Sequence, residues 1–292
     1  MPAIACLIAD PERAPLDARL VEEAEKALAG KLRWLAEAQA AEIELPTAEG
    51  ADARLTELIG AAAVDHAVLP ATNRRKRLLI CDMDSTIITI ECIDELADCA
   101  GIKPQIAAVT KRAMNGELDF AAALRERVAL LAGLPQDAIA AVIEQRLHLM
   151  PGARTLVQTM KAHGATTALV SGGFTAFTRH VQHLCGFDVE EANELELADG
   201  RLTGRLAGPL RGAAAKLDAL NGLSERLGLA PDESLAAGDG ANDLPMIRAA
   251  GLGVAFRAHP RVRAQAPVRI EHGDLTALLF LQGYTRAELV TA

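Results

Sequence analysis

Leu78-Leu79-Ile80-Cys81-Asp82-Met83-Asp84-Ser85-Thr86 is four apolar residues that break into Asp-x-Asp-x-Thr. An unbroken apolar run this short, ending in polar groups, is the pattern of a parallel strand covered on both faces. Runs of the same character recur at 166–170, 235–237, 254–256 and 268–270. Between them lie helical stretches: Ala153, Leu156, Val157 and Met160 are spaced i, i+3, i+4, i+7, and Gly164 stands where a helix would be capped. Strands alternating with helices imply an α/β fold with a doubly wound parallel sheet.

Outward from this sheet, residues 92–150 contain no convincing strand and at least three helical stretches, punctuated by Gly101, Pro104, Gly116, Gly133 and Pro135. They read as a helical cap inserted after the first strand. Upstream, residues 1–73 read as a small α/β module: strand 4–9, helix 16–28, strand 41–45, helix 52–62, strand 64–69. The basic run Arg74-Arg75-Lys76-Arg77 follows and reads as a solvated linker into a second unit, 74–292. Asp10, Asp17, Asp52 and Asp65 are expected in solvent.

Half of the 292 residues are hydrophobic, enough for two compact cores and too much for disorder. Aromatic residues are only 3% and the net charge is −9, which argues against base stacking and against binding a phosphate backbone, so no nucleic-acid partner is expected. No apolar stretch reaches the about 18 residues of a membrane span, and the amino terminus lacks the basic flank and apolar core of a secretory signal. A cytoplasmic protein with no membrane partner is therefore expected. The five cysteines are odd in number and form no Cys-x-x-Cys pair, so buried, reduced thiols are expected rather than disulfides.

In an open parallel sheet, ligands bind beyond the carboxyl ends of the strands. Three strands end in polar clusters: Asp82 to Thr86, Ser171-Gly172-Gly173, and Gly238-Asp239-Gly240-Ala241-Asn242-Asp243. Four carboxylates, Asp82, Asp84, Asp239 and Asp243, in one crevice repel one another, which raises pKa values or demands a cation. Oxygen ligands without a nearby His or thiolate cluster point to Mg²⁺. Ser171 with the backbone N–H groups of Gly172 and Gly173 offers an anion cradle suited to phosphate, and Lys216 can add positive charge. Asp243, just before Leu244-Pro245, also fits an ordinary helix N-cap.

Within the insertion, Phe120, Leu124, Arg127, Val128 and Leu131 share one helix face, so Arg127 interrupts an apolar stripe and needs an anion. Glu91 likewise interrupts Ile87, Ile88, Ile90 and Ile93. Spacing leaves two arrangements open: the two pair with each other or with protein neighbours, or Arg127 grips a substrate carboxylate while Glu91 meets an ammonium, the two charges of an α-amino acid.

These residues resemble the haloacid dehalogenase superfamily and, within it, the phosphoserine phosphatase family, over about 78–270. The resemblance rests on Asp82-Met83-Asp84-Ser85-Thr86, Glu91, Ser171-Gly172-Gly173-Phe174, Lys216 and Gly238 to Asp243. It implies Asp82 as nucleophile and Asp84 as general acid and base. It implies Mg²⁺ on Asp82, the Asp84 backbone carbonyl and Asp239, with Asp243 supporting. Ser171, Gly172, Gly173, Lys216 and Asn242 would hold phosphate, and Glu91, Met114, Phe120 and Arg127 the amino-acid part of O-phospho-L-serine. The first module is similar to the amino-acid-binding ACT fold, which implies a serine-sensing or dimerising role and a possible homodimer. Arg257-Ala258-His259-Pro260 departs from the Asn-Ala-Lys-Pro of the family.

Overall fold

The computed structural model describes residues 1–115 and 117–291, apart from the side chain of Met114. The first module comprises β1 (Ala3–Ala9), α1 (Ala18–Leu28), β2 (Lys31–Ala36), β3 (Ala40–Leu45), α2 (Ala51–Ile59) and β4 (Val64–Pro70), with strand order β2-β3-β1-β4. This is a βαββαβ arrangement on an antiparallel sheet. Strand β2 was not expected; its first four residues alternate between exposed and half-buried on a sheet edge and only Leu35 and Ala36 are buried, so it lacks an apolar run to betray it.

Because side chains alternate along a strand, β1 serves two cores. Ala3, Ala5, Leu7 and Ala9 pack under α1 and α2, while Ile4, Cys6 and Ile8 join the core of the rest of the chain. Polar contacts reinforce that second face. Asp65 is buried, against the expectation of solvent, because its carboxylate accepts backbone N–H bonds from Glu271, His272 and Gly273 at 2.7–3.0 Å. The basic run is likewise no free linker: Arg74 bonds Glu42 at 2.6 Å and the Leu281 carbonyl at 3.0 Å, and Lys76 reaches the Asp232 carbonyl at 2.6 Å.

The chain continues through β5 (Leu78–Cys81), the insertion helices α3 (Cys92–Cys99), α4 (Lys103–Met114), α5 (Phe120–Leu130) and α6 (Asp137–Gln145), then α7 (Ala153–Ala162), β6 (Thr166–Phe174) and α8 (Thr175–Cys185). Next come β7 (Val189–Ala198), β8 (Arg201–Ala207), α9 (Ala213–Leu227), β9 (Ser234–Gly238), α10 (Leu244–Ala249), β10 (Leu252–Phe256), α11 (Pro260–Arg263), β11 (Val268–Ile270) and α12 (Ala277–Leu281). The seven strands run β11-β10-β9-β5-β6-β7-β8, parallel except for the β7–β8 hairpin. That hairpin departs from the purely parallel expectation. Its turn, Asp199-Gly200, has positive φ at both residues, the geometry that Asp-Gly favours between paired strands.

Strand order reverses at β5, which has β6 on one side and β9 on the other. A crevice opens at such a reversal. Cys81 lies opposite both Leu169 and Ala237, so Asp82, Ser171 and Gly238 emerge at nearly one level.

Candidate active site

At the crevice, Asp82, Asp239 and Asp243 each place a carboxylate oxygen within 4.8 Å of the others. Lys216 rises from α9 beneath them, with Nζ 2.6 Å from Asp82 Oδ2 and 2.5 Å from Asp243 Oδ1, and is 1% exposed. Burial by itself pushes the Lys216 pKa down, but the two carboxylates outweigh it and hold the ammonium charged. Asp243 stands at the N-cap position of α10 but makes no side-chain cap bond there; its carboxylate serves the cluster instead, with Oδ2 accepting the Gly240 N–H at 2.9 Å. That carboxyl group fills the space where a Gly238 side chain would lie, since a Cβ there would fall 2.3 Å from Asp243 Cγ.

One positive charge does not balance three buried carboxylates. Burial, then Asp82 and Asp243, raise Asp239 to about 8 despite its 3.0 Å bond from Thr86 Oγ1. Burial and Asp82 raise Asp243 to about 7, although Lys216 opposes the shift. An all-oxygen donor set strained in this way fits a hard divalent cation.

Asp84 does not join the trio. Its Oδ2 accepts the Cys92 N–H at 3.4 Å, and a Cβ on Gly173 would lie 3.3 Å from that oxygen, which puts the carboxyl beside the anion cradle. Its Oδ1 is buried without a hydrogen-bond partner. Burial, then the charge of Glu91, raises the Asp84 pKa well above the ordinary carboxylate value. A neutral carboxyl next to an anion site can donate a proton.

The cradle forms where β6 loses register with β7 between Val170 and Phe174. The strand runs four residues past the expected end at 170, up to the N-terminus of α8. Ser171 is buried and its Oγ accepts the Gly173 N–H at 2.9 Å. Asn242 approaches from the opposite wall, its Nδ2 4.0 Å from where a Gly172 Cβ would stand. Asn193, which the sequence reading missed, holds this wall: its Nδ2 donates to the Gly172 carbonyl at 2.9 Å and to the Arg211 carbonyl at 3.0 Å, and its Oδ1 accepts the Arg211 N–H at 2.7 Å. A lone Asn in an acidic strand gives no local signal for that role.

The cap supplies the remaining groups. Arg127 on α5 forms no ion pair among the described residues; its closest bond is Nε to the Ala123 carbonyl, at 3.4 Å. Burial lowers its pKa, while Asp94, Glu91 and Asp84 pull it back up. Glu91 accepts from Ser85 Oγ at 2.5 Å and keeps surface open to solvent. So the direct Glu91–Arg127 pair does not form, and each group bonds a protein neighbour instead, Glu91 to Ser85 and Arg127 to the Ala123 carbonyl. Phe120 lies against Gly172 and Gly212. The Met114 side chain lies outside the described residues. Arg257, the departure from the family pattern, has φ of 44° and is spent on structure: its guanidinium donates to the Gly273 carbonyl at 3.0 Å and covers the Phe256 ring. Four cysteines are buried and free as expected, while Cys99 is free but exposed.

A strand-end acid cluster with a buried lysine, beside an anion cradle and under a helical cap, defines a hydrolase of the haloacid dehalogenase-like class. The model of the haloacid dehalogenase-like hydrolases matches residues 79–248, and the chain belongs to that family. It is 48% identical over 210 residues to a phosphoserine phosphatase of Polaromonas, covering 70% of this chain and 89% of the relative. It is 46% identical over 219 residues to phosphoserine phosphatase SerB2 of Mycobacterium tuberculosis, covering 75% of this chain but only 53% of that longer relative. Among solved structures, a family hydrolase of Salmonella enterica superposes with a TM-score of 0.85 at 33% identity, covering 96% of this chain and 98% of the other. A probable phosphoserine phosphatase of Vibrio cholerae gives 0.79 at 32% identity, covering 98% and 88%. No helix among the described residues is long and apolar enough to cross a membrane.

Proposed function

We propose that the protein is a Mg²⁺-dependent phosphomonoesterase that hydrolyses O-phospho-L-serine to L-serine and phosphate, the last step of L-serine biosynthesis. The observation that carries the substrate is Arg127, a half-buried guanidinium on the cap without an ion-pair partner among the described residues, close enough to Asp94, Glu91 and Asp84 to feel their charges. A substrate carboxylate completes the arginine and a substrate ammonium meets Glu91.

Asp82 attacks phosphorus in line, forming an aspartyl-phosphate as the P–O bond to serine breaks. Asp84 gives its proton to the departing serine oxygen. As a carboxylate it then takes a proton from water, whose oxygen attacks the aspartyl-phosphate, releases phosphate and restores Asp82. Lys216, the Ser171 hydroxyl and the Gly172 amide face the anionic oxygens, while the Gly173 amide, bonded to Ser171 Oγ, orients that hydroxyl, and Asn242 closes that wall. Asp82, the Asp84 carbonyl and Asp239, backed by Asp243, would hold Mg²⁺, which supplies positive charge against the repulsion between carboxylate and phosphate. The cap, about 92–150, excludes water while the phosphoryl group moves.

Phosphate release is measured from O-phospho-L-serine with Mg²⁺, beside phosphohomoserine, phosphothreonine and phosphoglycolate, with Asp82→Asn as control. Preference for phosphoserine, lost in the control, supports the reading. Activity spread evenly over these esters sinks the amino-acid assignment, and activity that survives in Asp82→Asn sinks the mechanism.

A further inference from the structure

Two glycines facing the cap do not owe their identity to a left-handed backbone. Neither Gly172 nor Gly212 has φ in the left-handed region, and Gly212 is extended at φ −129°, ψ −152°. Gly212 is also the N-cap of α9, a position that accepts Gly as well as Ser, Thr, Asn or Asp, and α9 has no side-chain cap. What the two glycines share is Phe120. A Cβ on Gly172 would lie 3.0 Å from Phe120 Cζ, and one on Gly212 would lie 3.0 Å from Cδ1 and 3.2 Å from Cε1. The ring, on the first residue of α5, therefore lies across both backbones. Asn193 ties those backbones together through Gly172 and Arg211, and its side chain is spent on that task at 1% exposure.

We propose that Gly212 is a positioning residue: its missing side chain, beside Gly172 and held by Asn193, makes the seat on which Phe120 lands when the cap rests on the core. Gly212 acts through Phe120. Arg127 lies seven residues further along α5, two helical turns on the same face, so the seat sets how closely Arg127 approaches the anion cradle. The kinetic half of this inference rests on the phosphoserine reading; the seat itself does not.

The test is a cycle of Gly212→Ala, Phe120→Leu and the double variant, with two readouts. In the free protein, hydrogen exchange of the α5 amides is expected to quicken roughly tenfold in Gly212→Ala, the size of a modest overpacking penalty. In the Phe120→Leu background the same substitution is expected to change exchange by less than about twofold, because the ring it strikes is gone. In kinetics, Gly212→Ala is expected to raise KM for O-phospho-L-serine several-fold more than it lowers kcat. Equal effects of Gly212→Ala in both backgrounds, or no change in α5 exchange, would overturn the seat. Coupled exchange in a protein inactive on phosphoserine removes the substrate reading and leaves the seat standing. Hydrolysis of phosphoserine without coupling does the reverse.

Discussion

Replacing Lys216 with Met keeps most of its volume and deletes the cation between Asp82 and Asp243. Its Nζ lies 2.6 and 2.5 Å from those carboxylates, and Asp243 is fully buried. Removing one partner of a buried ion pair costs about 3–5 kcal/mol, because the remaining charge is stranded. The folded variant has one escape, which is to protonate a carboxyl. Relative to an unfolded carboxylate with a pKa near 4, that escape costs about 1.4 kcal/mol for each pH unit above 4. It therefore costs about 1.4 kcal/mol at pH 5, below the stranded-charge cost, and exceeds that cost at pH 8. The expected loss is about 1.4 kcal/mol at pH 5 and about 3–5 kcal/mol at pH 8. The assay is guanidinium unfolding followed by circular dichroism, in chelator, at both pH values. Fluorescence is the wrong probe here, since the single Trp34 lies in β2 of the first module. A loss that is equal at the two pH values, or absent at pH 8, would refute the reasoning.

The wild-type protein carries the same imbalance more mildly. Asp239 at about 8 and Asp243 at about 7 hold protons in the folded state that the unfolded carboxyls release near 4. Their contribution is complete at pH 4 and lost as pH rises through 7 to 8, so chelated protein is expected to melt lower at pH 8 than at pH 6, and Mg²⁺ to narrow that gap. Arg127→Ala is expected to raise KM for phosphoserine by roughly 10- to 100-fold, the scale of a charge-assisted pair; an unchanged KM removes the clamp. Asp65→Ala deprives three amides, that of buried Gly273 and those of half-buried Glu271 and His272, of their acceptor. It is expected to cost about 1–3 kcal/mol in an unfolding transition followed by Trp34 fluorescence, while phosphate release stays as it was; an unshifted midpoint would mean that the module is held by its apolar face alone.

What could be read from the sequence is what lies in contiguous residues. The apolar run before Asp82, the Ser-Gly-Gly and the Gly-Asp-x-x-Asn-Asp segments each declare a strand end, and parallel pairing carries them to one edge. Arg127 betrays itself by sitting in an apolar stripe of its own helix. What escaped depends on partners far along the chain. Asp65 looks like any surface Asp until residues 271–273 present three amides to it, and Arg74 looks like a linker residue until the Leu281 carbonyl lies against it. Asn193 finds its partners at the end of β6 and in the loop before α9, neither of them adjacent in sequence. The β7–β8 hairpin is a different case, because its Asp199-Gly200 turn was visible, and the acidic residues around it obscured the strands.

The face of β1 formed by Ile4, Cys6 and Ile8 joins the core into which α12 packs against β1, and the hydrogen bond from Arg74 to Leu281 spans 207 residues. A ribosome adding about 5–20 residues per second needs roughly 10–40 s to make that stretch. Throughout that interval the first module can close its helical side but must leave the other side bare. The nascent chain therefore carries an open apolar sheet for all of that time, and a substitution in α12 would be felt first as aggregation or chaperone retention of the new chain, before any change in turnover.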